Sequence, residues 1–190
     1  MSMNLQDVER LQVLYPEHQV ELRAGKLILS SPSDGVSGVV GVHFSRLLAD
    51  WVYEHKLGWV FAARTGFRFP NGDLLSPRVS FVSRTRLKRV TRSYLSVVPE
   101  LIVEIKSSHD RIRGLEEKIS LFLGQGVQVG ILIDPDKKVV SIYRNAGITT
   151  NDDEVIPQKT TLRDDDILTI PELFPGWEIV ITRLWPAVYE

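Results

Sequence analysis

A glutamate and a lysine two residues apart, Glu104 and Lys106, stand near the end of the run Pro99-Glu100-Leu101-Ile102-Val103-Glu104-Ile105-Lys106-Ser107. In an extended strand such residues project from the same face, so two charges would share one side of an otherwise apolar strand. That arrangement is costly unless the charges are paired or used. It suits phosphoryl chemistry, because Mg²⁺ is held by one or two carboxylates while water and phosphate oxygens complete its shell. A lysine beside the ion can orient or deprotonate the attacking water. A structural ion pair, or a strand with one wet face, fits the same two residues, and a Glu-x-Lys match alone is common.

The surroundings sharpen the reading. Upstream lies Leu75-Ser76-Pro77-Arg78-Val79-Ser80-Phe81-Val82, a strand preceded by a turn and followed by a basic segment. From Arg78 to Arg92 there are six basic residues (Arg78, Arg84, Arg86, Lys88, Arg89, Arg92) and no acidic one. Such a run is commonly a solvated face. The alternative is a nucleic-acid surface in which Arg84, Arg86, Lys88, Arg89 and Arg92 contact phosphates. From Asp152 to Asp166 six acidic residues face only Lys159 and Arg163, and Asp164-Asp165-Asp166 reads as a solvated turn.

Other chemistries drop out. There is no phosphate-cradling Gly-Lys-Ser/Thr loop and no Gly-x-Ser-x-Gly elbow. Gly35, Gly38 and Gly41 lack the dinucleotide fingerprint and are better explained by helix–strand packing. His18, His43, His55 and His109 share no ligand spacing. The chain has no cysteine, which removes disulfides and thiolate chemistry and suits a reducing cytoplasm. Its first residues carry charge without an apolar run, and no stretch approaches the ~20 apolar residues of a membrane span, so a cytoplasmic protein without membrane contact is expected. The net charge of −1 singles out no partner.

The elements that would position Glu104 follow from patterning. The spacing predicts a short helix before Pro16, a hairpin through Val20–Ser30 turning at Ala24-Gly25, and a helix over 39–55 ended by Gly58. Residues 74–83, 99–107 and 128–134 are expected as strands of one sheet. A helix over 112–125, capped by Ser107 or Ser108, would pack on that sheet through Leu115, Ile119 and Phe122. The strand–helix–strand order across 99–134 predicts a parallel crossover, hence a mixed sheet flanked by helices in a single α/β domain over 1–190.

These blocks, taken in order, resemble the PD-(D/E)xK nuclease superfamily, and within it a bacterial family of restriction-endonuclease domains first catalogued without a function. The likeness runs from about Val20 to Trp185. Glu21-Leu22-Arg23-Ala24-Gly25-Lys26-Leu27 resembles the family's opening, and Ser31-Pro32 with its helix the next block. Leu75-Ser76-Pro77 leads to the family's Ser-Pro-Asp, and Glu104-Ile105-Lys106-Ser107 matches its strand motif. Lys118, Gly126-Val127, Leu132-Ile133-Asp134-Pro135 and Leu173-Phe174-Pro175-Gly176-Trp177 match later blocks. The resemblance implies a restriction-endonuclease-like fold and Mg²⁺- or Mn²⁺-dependent hydrolysis of DNA. It makes Glu104 and the Ile105 carbonyl metal contacts, Lys106 the catalytic lysine, Glu21 an acid at the edge of the site, and Lys118 an accessory.

One departure stands out: Arg78 occupies the position of the family's aspartate. A permanent cation there removes a ligand and repels a metal. Paired with Glu104, it would stand in for the ion and leave a protein that binds nucleic acid or a protein partner without cutting. Asp73 is a conceivable substitute ligand, although five residues along an unbroken strand would turn it to the other face. Many nucleases form homodimers to cut both strands, but nothing in the sequence marks a dimer face.

Overall fold

The computed structural model describes residues 3–149 and 155–189, apart from the side chains of 146–149, 155 and 156. Of the acidic run, Asp152, Asp153 and Glu154 lie outside the described residues. Helix α1 (Leu5–Leu14) opens on a capping box between Asn4 and Asp7. The hairpin of β1 (Gln19–Arg23) and β2 (Lys26–Ser30) turns at Ala24 and Gly25, with φ of 47° and 70°, so both turn residues are left-handed as a two-residue I′ hairpin requires.

Helix α2 (Gly35–Glu54) begins four residues earlier than the apolar spacing predicts, because Asp34 caps it by accepting a hydrogen bond from Ser37 N. It ends at Glu54 with His55 as its C-cap, and Lys56, at φ 53°, turns the chain before Gly58 is reached. Gly58 instead opens β3 (Gly58–Ala62), where a Cβ would stand 2.2 Å from the Val82 carbonyl. The packing explanation of the helix glycines holds for Gly41 alone, whose Cβ would meet Ile105 at 3.4 Å; Gly38 has no neighbour within 4 Å. Gly38→Ala is therefore expected to stabilise the protein by about 0.5–1 kcal/mol, read as a rise of a few degrees in Tm. A fall in Tm would show that Gly38 answers to a packing constraint in the folded chain.

The main sheet has the order β10-β9-β8-β7-β6-β3, formed by β3, β6 (Val79–Ser83), β7 (Leu101–Ile105), β8 (Val129–Asp134), β9 (Val139–Thr149) and β10 (Val155–Arg163). Strands β7 and β8 run parallel, joined by α3 (Ile112–Gly124), and the other neighbours are antiparallel. The result is the expected mixed sheet flanked by helices. On one face Val40, Phe44, Leu47 and Leu48 of α2 pack with Val79, Phe81, Leu101, Val103 and Ile105. On the other, Ile119, Phe122 and Leu123 of α3 pack with Val82, Ile102 and Leu132, with Leu115 half-buried beside them. Among the described residues, no helix is long and apolar enough to cross a membrane.

Residues 74–83 do not form one strand. Leu74–Leu75 is β5, part of a separate four-stranded sheet of order β2-β1-β5-β4, in which β4 is Phe67–Arg68. The chain breaks at Ser76-Pro77-Arg78 before entering the main sheet as β6. Proline has no N–H to give to a ladder, so a strand running through Pro77 is disfavoured. The break joins the two sheets and leaves the backbone of Ser76 free for other partners. Nor do Ser107 and Ser108 cap α3; its N-cap is Arg111, and Ser107 bonds to Asp110.

Candidate active site

Alternation along β7 sends Leu101, Val103 and Ile105 into the α2 core and leaves Glu104 toward α3. Glu104 is only 2% exposed. Above it, α3 presents Lys118, whose ammonium lies 2.8 Å from Glu104 Oε1 and 2.9 Å from Glu21 Oε1. The same ammonium donates to the Ser76 carbonyl at 3.1 Å, so three oxygens surround one cation.

The two carboxylates are served unequally. Glu21 accepts from Ser76 N at 2.7 Å and from Arg23 Nε at 3.1 Å, with a further short contact to Arg23 Nη2, as well as facing Lys118. Burial pushes the Glu21 carboxyl up, but Lys118 and Arg23 outweigh it and hold the group below its ordinary value. Glu104 Oε1 faces Lys118 off the hydrogen-bond direction and has no aligned donor. Burial, joined by the charge of Glu21, holds Glu104 above its ordinary value against the pull of Lys118 and Arg78. Burial also works against the Lys118 charge, yet Glu104 and Glu21 carry its pKa above the usual lysine value.

Arg78 is placed by the sheet. Its backbone N–H donates to the Val103 carbonyl at 3.1 Å, and Val79 is in register with Val103, so Arg78 stands one step further on, opposite Glu104. Its guanidinium bonds Ser33 in the β2–α2 loop rather than Glu104, so the direct Arg78–Glu104 pair is not formed. Both residues line one cleft of about 330 Å³, together with Arg23, Lys118, His109, Asp110 and Arg111. Four cationic side chains against Glu104 and Asp110 give the cleft a positive wall.

The structure separates other residues from this cluster. Lys106 does not line the cleft: the strand ends at Ile105, and the Lys106 ammonium turns to Asp136 in the β8–β9 turn, 2.6 Å away. The lysine at Glu104 is Lys118 instead. Glu21 is fully buried and meets the cleft through Lys118 and Arg23 rather than opening into it. The Ile105 side chain enters the α2 core, and its residue is in register with Ile133. Asp73 accepts from Ala24 N and Asn71 Nδ2, which ties down the β1–β2 turn, and takes no part in the cleft.

The basic segment also lies elsewhere. Five strand residues at about 3.3 Å each put Ser83 roughly 17 Å from Arg78, and the segment continues beyond Ser83. Arg86 pairs with Glu100 at 3.1 Å and with the Val98 carbonyl, at the far end of β7 from Glu104. Arg84, Lys88 and Arg89 are exposed, whereas Arg92 returns to lie beside Glu9, Arg64 and Gly66.

Mg²⁺, which the resemblance implies, meets a donor set that does not fit it. The space between Glu21 and Glu104 is taken by the Lys118 ammonium, and Arg78, opposite Glu104, offers a guanidinium rather than a carboxylate.

A buried Glu thus stands at the end of a central strand, against the crossover helix of a mixed sheet flanked by helices. Residues 5–182 match the family described as "Uma2: Putative restriction endonuclease", and the chain belongs to that family. Among solved structures, the chain is similar to a protein from Anabaena variabilis described as a putative nuclease belonging to DUF820. That match has a TM-score of 0.72 and 19% identity over 87% of this chain and 88% of the other. A weaker likeness, with a TM-score of 0.35 and 16% identity, covers 61% of this chain and 9% of a chain in the DrdV–DNA complex. No curated protein matches the sequence.

Proposed function

We propose that the cleft is the DNA phosphodiester site of a restriction-endonuclease-type protein. In this chain the site grips phosphate through its own cations, and Mg²⁺-dependent cutting is impaired. The observation that carries the reading is the exchange of charge around Glu104: Arg78 stands opposite it and Lys118 against it, where a hydrolytic site would hold a divalent ion. Membership of the nuclease family supports DNA as the ligand. Arg23, Arg78 and Arg111 offer donors to phosphate oxygens at the mouth of the cleft. Lys118 anchors the floor, and Glu21 and Ser76 fix its position. Catalysis at neutral pH would need a group to accept the proton of an attacking water. Glu104 is the nearest carboxylate, and Lys118 already engages it.

Fluorescence anisotropy with a short labelled duplex tests this. Binding is expected to persist in EDTA and to weaken as salt rises. Arg78→Ala and Arg111→Ala should each reduce the salt slope by about one. Binding that requires Mg²⁺ would sink the reading. So would binding abolished by substitutions at Arg84, Lys88 and Arg89 but indifferent to the cleft arginines, which would move the nucleic-acid surface away from the cleft.

A further inference from the structure

We infer that Lys118 is the resident cation of the Glu21–Glu104 site, filling the position between the carboxylates so that the free protein takes up neither Mg²⁺ nor Mn²⁺. The inference deepens the DNA reading and rests on it for its functional meaning, though the geometry that supports it is independent of any nucleic acid.

Three features converge. First, the ammonium has oxygens of Glu104, Glu21 and Ser76 at 2.8, 2.9 and 3.1 Å: it donates to the Ser76 carbonyl and meets the two carboxylates as ion pairs. Second, Lys118 is only 7% exposed and its two carboxylates 0% and 2%. A divalent ion would therefore have to displace a buried, oxygen-surrounded charge rather than a water. Third, the backbone is arranged around this cation. The Ser76-Pro77 break frees both Ser76 N, which donates to Glu21, and Ser76 O, which accepts from Lys118. Gln19 also donates to that carbonyl, at 2.9 Å. Lys118 reaches the site from the core-facing stripe of α3, next to the buried Ile119 and Phe122, so helix packing fixes the base of its side chain. Arg78 adds a second cation beside Glu104, but it is tethered to Ser33 and only half-buried, so its charge is more easily screened.

The test is a Mn²⁺ titration of the full chain, followed by the electron paramagnetic resonance of free Mn²⁺ and by Tm with Mn²⁺ or EDTA. The wild type is expected to leave the free-ion signal undiminished and to melt at the same temperature in both conditions. Arg78→Ser, which keeps Lys118, should behave alike. Lys118→Ala/Arg78→Ser should bind one Mn²⁺ per chain and melt higher with Mn²⁺ than with EDTA, and adding Glu104→Gln should abolish both effects. Uptake of one Mn²⁺ by the wild type that Glu104→Gln removes would overturn the inference, and this measurement stands whether or not the Lys118 variants fold. A folded double variant that ignores Mn²⁺ would overturn it too. Because the free protein is read, a failure here is distinct from a failure to bind DNA.

Discussion

Arg78→Asp is expected to raise Mg²⁺ affinity by about 100-fold or more and to bring out Mg²⁺-dependent nicking of plasmid DNA. A unit charge about 6 Å from a divalent ion at an effective dielectric near 20 contributes of order 5 kcal/mol, and the substitution reverses its sign. Arg78 is only half-buried and bonded to Ser33, so solvent and side-chain movement absorb much of this. If about 3 kcal/mol survives, the gain is still about 100-fold. With both glutamates ionised, the charges close to Glu104 (Glu21, Glu104, Arg23, Lys118 and Arg78) sum to +1 in the protein as it stands and to −1 with aspartate at 78. The new carboxylate would face Glu104 across the β6–β7 register, leaving Lys118 with Glu21. Calorimetry with Mg²⁺ and a nicking assay check the two parts, with Arg78→Asp/Glu104→Gln as the control that should lose both. Robust cutting by the unaltered protein would show that Arg78 does not disable the site. No gain from Arg78→Asp would show that the metal position is closed for a further reason, and Lys118 would be that reason.

Much of the frame around this site was legible from residue patterns. The apolar density of 101–105 and 129–134 marked the two central strands, and Leu115, Ile119 and Phe122 marked the buried face of α3. Glu104 stood out as a charge in such a strand, and it is buried in the cleft wall. The partner lysine was not legible from strand alternation, because alternation holds only while the strand lasts. β7 stops at Ile105, and Asp136 in the next turn draws Lys106 aside. A signal for Lys118 was nonetheless present. Positions 115, 118, 119 and 122 form one helical stripe, and a lysine within an apolar stripe asks for a buried anion. Arg23, two residues after Glu21 on one strand, carried a similar hint. The position of the basic segment also follows from topology. Arg78 and Arg84 flank opposite ends of β6, so the start of the basic segment cannot share a cleft with Arg78 at one end of the sheet. What sequence spacing could not supply was the fold-back at Ser76-Pro77, where two sheets meet and the Ser76 backbone becomes part of the site.

The two lysines should differ sharply when their charges are removed. Lys118→Met is expected to cost about 3–5 kcal/mol, because it leaves Glu21 and Glu104 buried without their shared cation. Lys106→Met should cost at most about 1 kcal/mol, since its partner Asp136 is 69% exposed and the pair is screened. Acidity separates the cases further. In the wild type, Glu21 has a lowered pKa, so its contribution is present above its ordinary value of 4.5 and is lost as pH falls through the folded value. Lys118 has a raised pKa, so its contribution is present below 10.5 and is lost as pH rises through the folded value. Without Lys118, both carboxyls lose the cation that favours their charged forms and shift upward. A carboxyl raised in the folded state costs stability as pH climbs above its unfolded value. The deficit of Lys118→Met should therefore be largest from about pH 6 to 9 and shrink toward pH 4, where protonated carboxyls no longer need the ammonium. Urea unfolding of both variants at pH 4, 5 and 7.5 reads this directly. A Lys118→Met deficit below about 1 kcal/mol, or one unchanged between pH 4 and 7.5, would mean that the buried bridge does not hold the site together.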